Sequence, residues 1–147
     1  ELSAFGRHTS AQTSNGVSAP QLAMVSPIAF QNLSAKYALP DGTKENKNIA
    51  LYTQATKEVA EQHDVVFLDA FAPSSRWFQG GDQLTIDGLQ LNEAGYGKFS
   101  RLLAEELFED SAIKDESKRE NLRKAVLDKN WHWHNDYKIP NGVHVYG

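Results

Sequence analysis

Three sets of residues in this chain have types and spacings that could do chemistry. The first is Asp87 and Gln90, in the stretch Leu84-Thr85-Ile86-Asp87-Gly88-Leu89-Gln90-Leu91-Asn92. Hydrolysis by a serine needs a nucleophile, a base and a carboxylate that orients the base. Asp87 could supply the carboxylate. Gln90 cannot be the base, because its amide hydrogen-bonds a hydroxyl but does not take a proton near neutral pH. The plainer alternative is that Asp87-Gly88 is a turn feeding a capped helix. The second set is Ser74-Ser75-Arg76-Trp77. A serine here would need a base at suitable spacing, and none is visible; in a Pro/Ser segment serine more often makes a turn. Arg76 and Trp77 either border a substrate groove or anchor a loop through a half-buried indole. The third set is Trp131-His132-Trp133-His134, followed by Asp136 and Tyr137. If extended, this segment projects both histidines to one face and both tryptophans to the other. His132 and His134 could then ligate zinc, iron or copper, with Asp136 or His144 as a third ligand. Three other uses stay open: exposed histidines beside a packed Trp face, flat aromatic rings holding a sugar, or docking on another segment.

The elements that must position these residues read as follows. Residues 1–20 form a loose or partly helical lead-in. Residues 21–26 are a short apolar run ending at Pro27, a buried-strand signal. Residues 32–48 are mostly loop, with a turn at Pro40-Asp41-Gly42. From Ile49, the spacing of Tyr52, Thr56, Val59 and Ala60 predicts a helix ending near His63. Residues 65–69 are a β-branched and aromatic run, expected to be a strand covered on both faces. Strand, helix, strand makes a parallel crossover the default. Residues 71–91 should be loop at the carboxyl end of that strand, the edge where open α/β sheets bind ligands. Asn92 should cap a further helix, with Tyr96, Phe99, Leu102, Leu103 and Leu107 on its buried face. A charged surface helix is expected over residues 116–129, within a segment 111–129. Residues 130–147 should be an extended aromatic tail, with a turn at 138–142 and a short strand or arm at 143–146.

Bulk properties narrow the classes. The 147 residues suffice for one modest domain with a core, and 40% hydrophobic with 23% charged content is globular rather than disordered. A net charge of −4 argues against wholesale nucleic-acid binding. The absence of cysteine excludes disulfides, thiolate metal sites and a Cys nucleophile. No apolar run approaches the length of a membrane span. The chain begins at Glu1 and its only methionine is Met24. The amino terminus is therefore read as processed, truncated or an engineered boundary, which leaves room for a lost signal peptide and a periplasmic or secreted location.

Taken together, the strand ending in Ser26-Pro27-Ile28, the helix after it, the 65–69 strand, the Asp-x-x loop and the Leu91-Asn92-Glu93-Ala94-Gly95-Tyr96 helix start resemble the carboxyl-terminal part of an SGNH/GDSL-type serine esterase, over roughly residues 21–108. That resemblance implies an α/β fold of three layers with parallel strands, incomplete at the amino terminus. It implies cleavage of acyl esters or of acetyl groups on carbohydrates, with no cofactor. Asp87 matches the family's orienting acid and Gln90 stands where its catalytic histidine belongs, while Asn92, Arg76 and Trp77 are candidates to touch substrate. The family's Gly-Asp-Ser nucleophile motif and its Gly-x-Asn-Asp oxyanion motif do not occur in this sequence. The chain is thus expected to be inactive alone and to be completed by an upstream segment or a homodimer, and His132 or His134 would have to swing in to replace the base. Its tail resembles the connector that follows the esterase domain in larger relatives. Two other readings stand beside this one: a non-catalytic module that binds glycans or a partner through Trp77, Trp131 and Trp133, and a His-rich metal-binding tail on an inert scaffold.

Overall fold

A computed structural model describes residues 1–13, 15–108 and 115–137. The chain divides into two compact units, Glu1–Glu109 and Asp110–Gly147. The first unit is mixed α/β: α1 (Leu2–Ser10), β1 (Ala23–Val25), α2 (Thr43–Gln62), β2 (Val66–Leu68), α3 (Phe71–Phe78) and α4 (Glu93–Phe108). The second holds α5 (Glu116–Tyr137).

Among the described residues the sheet has two strands. β1 and β2 run parallel, with Ala23 opposite Val66, Met24 opposite Phe67 and Val25 opposite Leu68. The intervening helix α2 packs on both strands, so the expected strand–helix–strand crossover is present. The expectation that 65–69 is covered on both faces does not hold. Leu68 is buried, but Val66 is 57% exposed, because a two-stranded sheet with a helix against it has too few neighbours to cover every side chain.

α2 starts well before Ile49. Its start is set by polar groups that leave no trace in the apolar periodicity. Gly42 takes a left-handed φ of 80° just before the helix, a conformation that favours glycine. Asp41 Oδ1 accepts the Thr43 N–H at 2.9 Å. In the first turn, Asn46 clamps the main chain of Phe30: its Oδ1 accepts the Phe30 N–H at 2.7 Å and its Nδ2 donates to the Phe30 carbonyl at 3.0 Å. The lead-in is likewise more ordered than expected. α1 rests on the rest of the unit through Gly6, whose Cα lies beside the Met24 side chain, and through Ser3 Oγ, 2.5 Å from His63 Nε2.

Residues 71–78 are helix rather than loop. Pro73 misleads as a breaker, since proline is tolerated in a first turn where the N–H has no intrahelical partner. The free amides of that turn are met from outside it. Asp69 Oδ1 accepts the N–H of Phe71 at 2.8 Å and of Ala72 at 3.1 Å. The buried Ser26 hydroxyl accepts those of Ala70 at 2.8 Å and Phe71 at 3.1 Å. α4 begins where expected, but its buried face is narrower. Gly95 is its buried residue, Phe99, Leu102 and Leu103 are half-buried, and Tyr96 and Leu107 are exposed.

The charged helix does not stop at residue 129. α5 starts at an Asp115 carboxylate that accepts the N–H of Ser117 at 3.0 Å and of Lys118 at 3.2 Å, and it runs on through Tyr137. The extended reading of 130–137 is therefore corrected to helix. The turn expected at 138–142, the arm at 143–146 and His144 lie outside the described residues.

Candidate functional site

The Asp87–Gln90 turn is built from one buried amide. Gln31, on the segment leaving β1, is 3% exposed. Its Oε1 accepts three donors: the Leu84 N–H at 3.0 Å, the Thr85 N–H at 2.9 Å and the Thr85 hydroxyl at 2.8 Å. Its Nε2 donates to the Asp82 carbonyl at 2.6 Å, and its own N–H donates to the Gly88 carbonyl at 2.8 Å. Buried polar groups are stable only when paired. Here one side chain satisfies the backbone of a whole loop, which fixes that loop against β1.

On this base stands a tight reversal. Thr85 and Leu91 form an isolated antiparallel bridge, and the Thr85 hydroxyl accepts the Gly88 N–H at 3.1 Å. Gly88 has φ 95°, and a Cβ there would run into the Phe30 ring. Within the reversal, Asp87 Oδ1 accepts the N–H of Leu89 at 3.0 Å and of Gln90 at 2.7 Å. These bonds favour the charged carboxylate and hold its pKa below the usual value, the Gln90 N–H contributing most and the Leu89 N–H next. The carboxylate is exposed. The Gln90 carbonyl accepts the Ile86 N–H at 2.8 Å, and its side chain is exposed.

The turn hands directly to α4. The Asn92 N–H donates to the Leu84 carbonyl at 2.9 Å, its Nδ2 to the Gln83 carbonyl at 2.7 Å, and its Oδ1 accepts the Gly95 N–H at 3.0 Å. That last bond is a helix N-cap. Gly95 lies so close to the Leu84 carbonyl that a Cβ would collide with it. Asn92 is therefore a structural residue first. Its polar atoms, offered by the sequence as a substrate contact, are spent on the loop–helix joint.

The other candidates separate from this turn. Ser74 is fully buried; its hydroxyl donates to the Ala70 carbonyl at 2.6 Å and accepts the Ala29 N–H at 2.8 Å. A hydroxyl so enclosed has no room to attack an ester. Arg76 is exposed and Trp77 half-buried, both on α3. His132 and His134 lie on α5, where positions two apart are rotated by about 200° around the axis. They therefore point in different directions rather than to one face. His132 Nε2 sits 3.8 Å from Asp128 Oδ1, one turn back, and its ring meets that of Trp131 edge-on at 5.0 Å. Among the described residues no group of three or more His, Asp or Glu side chains is arranged to hold a metal. No described helix is long and apolar enough to cross a membrane.

Gln31, the organiser of the turn, was not among the residues singled out from sequence. Its signal was faint: an amide directly after the apolar Ile28-Ala29-Phe30, which a buried, fully bonded glutamine would explain. No family model, curated protein or solved structure matches this chain.

Proposed function

We propose that this chain descends from ester hydrolases of the SGNH/GDSL type, with a three-layer α/β architecture. Residues 82–96 keep the acid loop and helix start of such a centre but have lost its base. The observation that carries this reading is the bond from the Gln90 N–H to the Asp87 carboxylate. It keeps the main chain of position 90 beside an ionised acid, and the side chain at the position that the resemblance gives to the catalytic histidine is an exposed amide. An amide accepts no proton, so the chain does not cleave esters by itself. The enclosure of Ser74 supports the same conclusion, since that hydroxyl serves the fold. Small acyl or carbohydrate acetyl esters are the substrate class of the lineage.

Hydrolysis of a p-nitrophenyl acetate series by this chain and by Gln90→His tests the proposal. No turnover by either protein is the expected result. Turnover confined to Gln90→His would mean that a serine within this chain is already in place. Turnover by both, abolished by a serine-directed phosphonate, would overturn the reading and make the chain a working esterase.

A second reading is favoured by one observation: Trp131 and Trp133 are 63% and 51% exposed on α5. Indole faces at that exposure suit a glycan or a partner protein. A saturable change in tryptophan fluorescence with a soluble oligosaccharide would support it.

A further inference from the structure

The outer edge of β1 is open and has a groove built along it. The Ser26 N–H donates to the Leu68 carbonyl at 2.9 Å. In a strand, successive residues turn their main-chain groups to opposite edges. Met24, two residues back, therefore faces β2, while Ala23 and Val25 turn their N–H and C=O outward. Among the described residues β1 has no second neighbour.

A groove of about 360 Å³ is lined by Leu22, Ala23, Met24 and Val25 in unbroken succession. Side chains of consecutive strand residues alternate between the two faces of a sheet. A groove that touches all four follows the edge of the strand. Its far walls are Leu2, Phe5 and Gly6 of α1 and Thr56 of α2, so the lining is almost wholly apolar. An apolar compound would fill such a space but leave the outward N–H and C=O groups of Ala23 and Val25 unpaired. An extended main chain satisfies both demands.

We propose that this groove receives an extended, apolar peptide segment that adds to β1 as a third strand. Its backbone bonds Ala23 and Val25, and its side chains enter the space under α1. This inference is argued from the edge and its groove, whereas the esterase reading rests on the Asp87 turn; that reading also expects a further segment to complete the sheet, and the turnover and binding assays fail separately.

The probe is a fluorescein-labelled peptide carrying residues 63–70, a sequence that already pairs with the other edge of β1; a scrambled version serves as control. Fluorescence anisotropy should show saturable binding of the peptide and not of the control. Val25→Pro removes an outward N–H without touching the bonds to β2, and edge positions tolerate proline. It should weaken binding by at least about tenfold, with the far-UV spectrum and melt retained. Gly6→Leu puts bulk into the groove from a helix that glycine disfavours and should weaken binding similarly. It decides the matter if Val25→Pro fails to fold. Absent saturable binding, or binding unchanged in either folded variant, would overturn the proposal. So would a wild-type dimer in sedimentation that Val25→Pro converts to monomer, because a second copy would then occupy the edge.

Discussion

A single amide oxygen, Gln31 Oε1, holds three donors of the 84–85 segment, so residue 31 governs residues it does not adjoin in sequence. Gln31→Leu keeps the bulk but leaves those donors buried without partners. The unfolding free energy should fall by roughly 3 kcal/mol, as unsatisfied buried groups cost 1–3 kcal/mol each and partial rearrangement recovers some. Urea titration of the two proteins checks this. Asp87 gives a prediction in pH. Its carboxyl is held below its ordinary value in the folded chain. Its contribution is therefore fully present above the unfolded value of about 4 and is lost as pH falls through the folded one. Asp87→Asn keeps an oxygen acceptor without the charge. Melts of the two proteins across pH should differ near neutrality and converge as pH falls through the folded value, which lies below the ordinary one of about 4.

At the scale of elements, the joint between the turn and α4 rests on a cap and a close approach. Asn92→Ala removes the bond to the Gly95 N–H and the one to the Gln83 carbonyl, and should cost about 1–2 kcal/mol. Gly95→Ala forces α4 away from the Leu84 carbonyl. The cost should be about 1–3 kcal/mol, in line with other overpacked sites, although alanine is the better helix former. Thermal melts of the two variants measure both effects, and the Gly95→Ala result separates packing from propensity because the two have opposite signs. The same joint shows what the sequence made legible. β1, β2 and the Asn92 start of α4 carry local signals, an apolar run or a cap, and all three are present. The first turns of α2 and α3 were not legible, because bonds between residues distant in sequence help to hold them. Asn46 reaches Phe30, and Ser26 reaches Ala70 and Phe71. The helical state of 130–137 was missed for a different reason. Alternating aromatic and polar residues imitate a strand, and in a helix with few apolar anchors no competing stripe corrects the impression. Of the candidate site, the Asp87 turn was legible and its support from Gln31 was not, since nothing local marks a glutamine as the hub of a loop 50 or more residues away.

For the whole molecule, an open apolar strand edge is carried on a chain of modest net charge, −4 at pH 7. Strand edges of this kind template association unless charge or bulk blocks them. Charge repulsion is weakest near the isoelectric point, about pH 5.7. Static light scattering of the purified protein between pH 5 and 8 should therefore rise toward pH 5.7. The rise should be smaller when saturating 63–70 peptide fills the edge, and at pH 8, away from the isoelectric point, the protein should scatter as a monomer.

The Gln90 side chain makes no hydrogen bond among the described residues and is exposed, while the backbone of that residue is held by Asp87 and Ile86. The turn is thus indifferent to what residue 90 carries. Glutamine and histidine codons differ by one nucleotide. In a gene encoding this turn, a proton-accepting ring could be introduced at position 90 in a single mutational step, with no hydrogen bond among the described residues given up. The architecture therefore lets selection on chemistry act separately from selection on folding.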